Sequence, residues 1–180
     1  MKIVQLNAAT LPIYRSELAR LLTDAIAHGA SLGYDTQIAH ADAESYFHSL
    51  RPEIAKGTLM LWIARDTESV VGTAQLALCQ KPNGQNRAEV QKLIVHSRAR
   101  RLGIAHQLMT ALEAAAMAAR RGLLYLDTQA GSAAEAFYQS EGYLRLGEIP
   151  DYASSPDGRY HPTAIYYKRL FTLERQAKAG

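Results

Sequence analysis

The 180-residue chain has one cysteine, one tryptophan and three phenylalanines, and no charge of one sign dominates it. A lone Cys79 cannot close an intramolecular disulfide, and within the apolar run TAQLALC it reads as a buried, inert thiol. The six histidines, His28, His40, His48, His96, His106 and His161, form no HxxxH or HxH pattern and have no paired thiol, so no metal is expected. His161, in the loop-like stretch DGRYHP near the last strand, reads as a surface residue, with a substrate contact as the alternative. No apolar run approaches the roughly 18 residues of a membrane span. The N-terminus MKIVQLNAATLPIYRSEL lacks the apolar core and small-residue cleavage site of a secretory leader. A cytoplasmic protein with no membrane partner is therefore expected. The formal net charge of +3 is too small for the broad basic face that nucleic acid requires. Repeats, low-complexity tracts and linkers are also missing, so residues 1–170 read as one domain and 171–180 as a polar tail.

What is present is a clear alternation of periods. Ile3 to Leu6 suits a first strand, and Ile13, Leu18, Leu21, Leu22, Ala25 and Ile26 recur at helical spacing until Gly29. Ala43 to Ala55 suits a second helix ended by Gly57. TLMLWIAR (58–65) and VVGTAQLALC (70–79) are apolar strands joined by a hairpin turn at 66–69. The loop chemistry of KPNGQNR leads into the strand AEVQKLIV, ending near Val95. Ile104, Leu108, Leu112, Ala115 and Ala119 then form one helical stripe, closing at Arg120-Arg121-Gly122 with cations and a glycine stop. LLYLDT is the next strand, residues 132–140 a short helix, Tyr143 to Leu146 another strand, EIPDYASSPDGRYHP a polar loop and TAIYYKRLF the last strand. Three consecutive strands before the central crossover describe an α/β sheet mixing hairpins and crossovers, and exclude a doubly wound nucleotide-binding sheet.

The strand QKLIV runs through a basic turn into a helix beginning near Gly103. Unpaired N–H groups at that helix start converge on one spot, where a pyrophosphate fits. Gly103 permits close backbone approach, Ala105 is small, and Arg100 and Arg101 can add charge-assisted bonds. By itself this turn is either an anion site or a solvated bend. Residues Arg100, Arg101, Leu102, Gly103, Ile104 and Ala105 match the Q/R-x-x-G-x-G/A signature, and with the strand and helix flanking them the chain resembles the GNAT superfamily of N-acetyltransferases. That resemblance implies an α/β fold with a mixed sheet of about seven strands, splayed between the fourth and fifth, and about four helices. It also implies acetyl-CoA as cosubstrate, with backbone amides from Arg101 to Ala105 on the pyrophosphate and Leu93, Ile94 and Val95 beside the pantetheine arm. The family often has Pro where Ser97 stands and Gly where Arg101 stands. The segments LCQKPNG, NRAEVQKL, RGLL, LDT, PDGR and HPTAIY further resemble the tabtoxin-resistance branch, whose members acetylate a β-lactam toxin bearing a free amine.

Acetyl transfer to an amine requires a neutral nucleophile and a proton for the departing thiolate. Glu89 lies on the strand leading to the phosphate turn and, at period two, shares a face with Gln91, Leu93 and Val95. It is either a general base, as the family commonly places there, or a partner of Arg87. Asp127 ends the next strand and either meets the substrate amine or caps a turn. Tyr138 matches the tyrosine of the family's later helix, whose hydroxyl can protonate the thiolate, although a tyrosine on a short helix also suits a core. The family has Asn where Gly131 stands. Ser132, with Ala134 beside it, is the replacement candidate for a cofactor contact. Trp62 and Tyr125 read as core. Substrate contacts are expected from Gln91 and from loops carrying Tyr34, Asn83 and Tyr152. The partner implied is a small-molecule primary amine. Oligomeric state stays open, a homodimer being one option. The other functional reading is a noncatalytic acyl-CoA sensor, against which the joint presence of Glu89, Asp127 and Tyr138 argues.

Overall fold

A computed structural model of the chain describes residues 1–34, 38–154 and 158–172. Most of the polar tail expected at 171–180 therefore lies outside the described residues, as does part of the PDGR segment. Seven strands form one sheet in the order β1-β2-β3-β4-β5-β7-β6. They are β1 (Lys2–Leu6), β2 (Leu59–Arg65), β3 (Val70–Leu78), β4 (Arg87–Val95), β5 (Leu123–Gln129), β6 (Leu144–Ser154) and β7 (Tyr160–Arg169). All neighbours are antiparallel except β4 and β5.

Helices cover both faces. On one, α1 (Leu11–Ala27) buries Leu11, Leu18, Leu21, Leu22 and Ile26 against Leu61, Ile63 and Ile94, with Phe47 of α2 (His40–Ser49) in the same cluster. On the other, α4 (Ile104–Ala118) and α5 (Ala133–Ser140) set Ile104, Leu108, Met109, Leu112 and Tyr138 against Trp62, Leu76, Val90, Leu124 and Tyr166. The sheet is thus buried on both sides, which explains why β2 and β3 read as continuous apolar runs. Asn7 opens α1: its Oδ1 accepts the N–H groups of Ala9 and Thr10, each at 2.9 Å.

Three expectations are corrected. The single helix expected at Ala43 to Ala55 is two, α2 and α3 (Arg51–Lys56), meeting at Leu50. Pro52 causes the break, because it has no N–H to continue the ladder and its ring crowds the preceding turn. Next, the stretch expected as a polar loop at 148–162 is largely strand. β6 runs to Ser154 and β7 begins at Tyr160. Gly147, Pro150 and Asp151 resemble loop chemistry, but β6 is the sheet edge, where a missing N–H is tolerated. Its extra residues are absorbed in register shifts between Arg145 and Gly147 and between Ile149 and Ala153, with Asp151 at φ 49°. Finally, Arg120 rather than Gly122 takes the left-handed conformation after α4, at φ 55°. Gly122 serves close packing instead, since a Cβ there would meet Asn86 Oδ1 at 2.7 Å and Phe171 at 2.9 Å. Arg121, beside it, is buried and donates to the Gln85 carbonyl.

Candidate active site

The parallel pairing of β4 with β5 lasts three steps: Arg87 opposite Leu123, Ala88 opposite Leu124 and Glu89 opposite Tyr125. Beyond them β4 follows β3 to Val95 and β5 follows β7 to Gln129, and the two strands part. β4 also bulges. Thr73 and Gln75 of β3 face Ile94 and Gln91, so Lys92 and Leu93 stand where β3 has one residue, and Lys92 adopts φ 49°. A bulge of this kind bends the strand and re-aims its side chains. Between the parted strands lies a cleft of about 570 Å³, within the size range of small-molecule sites.

The bulge overturns the expected period-two alignment. Ala88 and Val90 pack on the α4 and α5 side, and beyond the bulge Leu93 and Val95 take that side while Ile94 is buried on the α1 side. Glu89 and Gln91 therefore do not share a face with Leu93 and Val95. The inserted residue turns the alternation over.

The cleft gathers Glu89 and Gln91 from β4, Asp127 from β5 and Tyr138 from α5. Leu93, Ser132, Ala134 and Tyr152 complete the sequence candidates on its wall. Glu89 faces Tyr125, whose phenol is raised above its ordinary range by burial and then by the Glu89 carboxylate. Asp127 is held from the neighbouring strand: Thr163 Oγ1 lies 3.1 Å from Asp127 Oδ2 and 3.0 Å from the Thr128 carbonyl, sharing one proton between them. Tyr138 is buried among Phe137, Tyr143 and Tyr166. Burial, then the Asp127 carboxylate, pushes its phenol well above the usual range, so it keeps its proton. α5 is fixed to the sheet through Glu135, which accepts bonds from Gly131 N–H at 2.7 Å, Arg145 Nε at 3.0 Å and the Tyr166 hydroxyl.

Two substrate candidates lie elsewhere. Asn83 is exposed on the short turn Pro82–Gly84 between β3 and β4, outside the cleft lining. Tyr34 stands behind the wall, its ring edge-on to Tyr46 with centroids 6.1 Å apart. The cleft also contains Lys92, Tyr46 and Thr163, which the sequence pattern did not single out, and His161. His161 was expected at the surface, and the extension of β7 to Tyr160 carries it to the cleft instead. A lysine inside the apolar run QKLIV was the available signal for the first.

The basic turn sits at the far end of β4. Ser97 N–H and Oγ donate to the two carboxylate oxygens of Asp24 on α1, each at 2.8 Å. This explains the departure from the family's Pro, which would lose the N–H. Arg98 is committed elsewhere, to Asp66 Oδ2 at 2.8 Å and Ser69 Oγ at 3.0 Å. Arg100 Nε reaches back toward the Val95 carbonyl at 3.5 Å, and Leu102 is exposed. Arg101 and Gly103 both take the left-handed conformation, at φ 63° and 73°. Gln107 N–H bonds to Gly103 O at 3.1 Å, so the amides of Ile104, Ala105 and His106 before it have no intrahelical acceptor. Ile104 is buried, and anchors the helix start to the sheet.

Residues 19–143 match the Acetyltransferase (GNAT) family. The chain belongs to that family. As a GNAT acetyltransferase it takes its acetyl group from acetyl-CoA. Solved structures share the fold of this GNAT chain. A ribosomal-protein-alanine N-acetyltransferase from Brucella melitensis is 21% identical over 94% of this chain and 100% of its own, with a TM-score of 0.75. The yncA protein from Salmonella typhimurium, solved with its cofactor acetyl-CoA, is 13% identical over 99% and 98% with a TM-score of 0.75. Aminoglycoside 6'-acetyltransferase type Ii is 19% identical over 97% and 100% with a TM-score of 0.70. At these identities the likeness is one of fold.

The residues present fit acetyl-CoA. The α4 start offers convergent free amides for a pyrophosphate. Once β5 has left, the main-chain groups on that side of β4 lack a strand partner, which suits an amide-bearing arm lying along Leu93 and Val95. Ser132 Oγ is buried at the cleft wall without a hydrogen-bond partner among the described residues, an orphan that a ligand would satisfy. Among the described residues, no group of three or more His, Cys, Asp or Glu side chains could hold a metal ion. No described helix is long and apolar enough to cross a membrane.

Proposed function

We propose that this single domain, spanning residues 1–170, transfers acetyl from acetyl-CoA to a primary amine of a small molecule, by direct attack within a ternary complex. The observation that carries the reading is the convergence of Glu89, Asp127 and Tyr138 on one cleft where β4 and β5 part. A sensor that only bound the cofactor would have no use for three proton-handling groups there. Acetyl-CoA supplies the activated thioester.

The amides of Arg101 to Ala105 hold the pyrophosphate, and Ser132 Oγ supplies a further bond to the cofactor arm. Glu89 removes the ammonium proton, directly or through water, so that a neutral amine can attack. Asp127, steadied by Thr163, holds that amine at the mouth of the parted strands. The buried Tyr138 hydroxyl retains its proton until the thiolate departs and then delivers it. An N–C bond forms and the C–S bond breaks; the ammonium gives one proton to Glu89 before attack, Tyr138 gives its proton to the departing sulfur, and the second proton that the nitrogen loses as the amide forms passes through water to the Tyr138 phenolate.

The finer reading is detoxification of an amino-acid-like β-lactam toxin bearing a free amine, supported by the segments shared with the tabtoxin-resistance branch. The test is thiol release from acetyl-CoA with purified protein and an amine panel including amino-acid-like β-lactams. Thermal stabilisation by acetyl-CoA without turnover on any amine would favour the sensor.

A further inference from the structure

The cleft is not uniformly acidic. Opposite Asp127 its wall carries Lys92, a half-buried cation on the left-handed bulge of β4. Its ammonium donates to the Leu32 carbonyl at 2.6 Å and lies 5.5 Å and 5.7 Å from the ring centroids of Tyr34 and Tyr46. Tyr46 is in turn tethered by its hydroxyl to Gln75 Oε1 at 3.1 Å. The aromatic faces and one carbonyl orient the ammonium but do not neutralise it. Lysine has three N–H donors, and the Leu32 bond uses one. Among the described residues no ion pair within 4.0 Å engages Lys92. The charge that faces it across the cleft is the Asp127 carboxylate, and burial pulls the ammonium below its ordinary range against that attraction.

A bare cation is a poor wall for a site whose substrate is only a cation. An amine acceptor enters as ammonium, and Lys92 would repel it unless the same molecule also brought a negative group. We infer that the acceptor is zwitterionic: its ammonium meets Glu89 and Asp127, and a carboxylate on the same molecule meets Lys92. The inference rests on the acetyltransferase reading above and narrows its substrate to amines that bear a carboxylate. Lys92 is then a specificity-determining residue, placed by the same bulge that opens the cleft. Charge-assisted bonds to a desolvated carboxylate are strong enough to discriminate, and a site built to bind a charge rejects the analogue that lacks it.

The experiment pairs amino acids with their decarboxylated counterparts: lysine with cadaverine, ornithine with putrescine, phenylalanine with phenethylamine. Thiol release is measured for each, and binding to the protein saturated with CoA is followed by thermal shift. In the native protein at least one pair should favour the carboxylate-bearing member at least tenfold in kcat/KM. Lys92→Met should collapse that ratio, and Lys92→Arg should keep it. Equal kcat/KM within every pair, or equal losses for both members in Lys92→Met, would overturn the inference and reduce Lys92 to a tether for the Leu32 segment. The thermal shift separates the two proposals. Carboxylate-selective binding with no thiol release would sink the catalytic reading and leave the Lys92 site standing. Thiol release without selectivity would do the reverse.

Discussion

Glu89 of β4 stands opposite Tyr125 of β5 in the last paired step of the two parallel strands. Beyond that pair the two strands part, and backbone on that side of β4 has no β5 partner. Glu89 sits at the apex, close to where a nucleophile entering between the strands would arrive.

If Glu89 accepts the amine proton, Glu89→Gln should lower kcat for thiol release at least tenfold, because the amide keeps the shape and loses the base. Asp127→Asn should act on the amine as well, with a rise in KM if its part is to hold the ammonium. Steady-state kinetics of both variants decide this. Full activity in the two would remove both roles and leave the fold untouched.

Tyr138→Phe deletes one oxygen and leaves the ring packing on Tyr143 and Tyr166. We expect kcat to fall at least tenfold with the acetyl-CoA KM little changed. The pH dependence has a definite sign. Burial raises the folded-state pKa above the unfolded value of about 10, so the proton is held more tightly in the native state. That contribution to stability is complete below pH ~10 and is lost as pH rises further. Native kcat should therefore show no alkaline decline from this group below pH ~10, and alkaline melting should be shallower in the Phe variant.

Arg101 occupies a left-handed position at φ 63° on the basic turn before α4, where a side chain costs roughly 1–2 kcal/mol. Glycine relieves that strain at some expense in chain entropy. Arg101→Gly should raise the melting temperature of the unliganded protein and change the acetyl-CoA KM less than about threefold, since the amides do the holding. A tenfold rise in KM would show instead that the guanidinium carries the binding.

Gly72 of β3 lets α4 lie close to the sheet. A Cβ there would approach Ile104 Cγ2 at 3.0 Å and Leu108 Cδ1 at 3.1 Å. Gly72→Val should cost about 1–3 kcal/mol by overpacking and tilt the helix start that presents the free amides. Calorimetry should find a lower melting temperature, and thermal shift a smaller stabilisation by acetyl-CoA. Destabilisation with undiminished cofactor stabilisation would separate packing from the phosphate site.

Local pattern carried much of this protein. The periodic stripe from Ile104 to Leu112, the basic turn before it and the glycine at 103 were readable as a strand-to-helix anion site, because each depends on neighbours within a few residues. So were the seven strands; the candidacy of Glu89 and Tyr138 came from the family resemblance, and that of Asp127 from its place at the end of a strand. The apolar runs of β2 and β3 were readable as strands, though not the burial of both their faces. What escaped was decided at a distance. A bulge is a mismatch between two strands, and nothing in AEVQKLIV alone says that β3 supplies one residue where β4 supplies two. Hence the face of Leu93 and Val95 was misread and Lys92 was passed over. The stretch from Glu148 to Ser154 looks like loop chemistry until it is found at the sheet edge, where proline and a left-handed aspartate are tolerated. Asn83 sits on a turn that the topology leaves outside the cleft, and His161 on a strand that brings it in. The sequence by itself determined most of the elements and the strand-to-helix turn whose free amides suit an anion; only the tertiary structure decided where β4 parts from β5, because that depends on pairing between strands far apart in the chain.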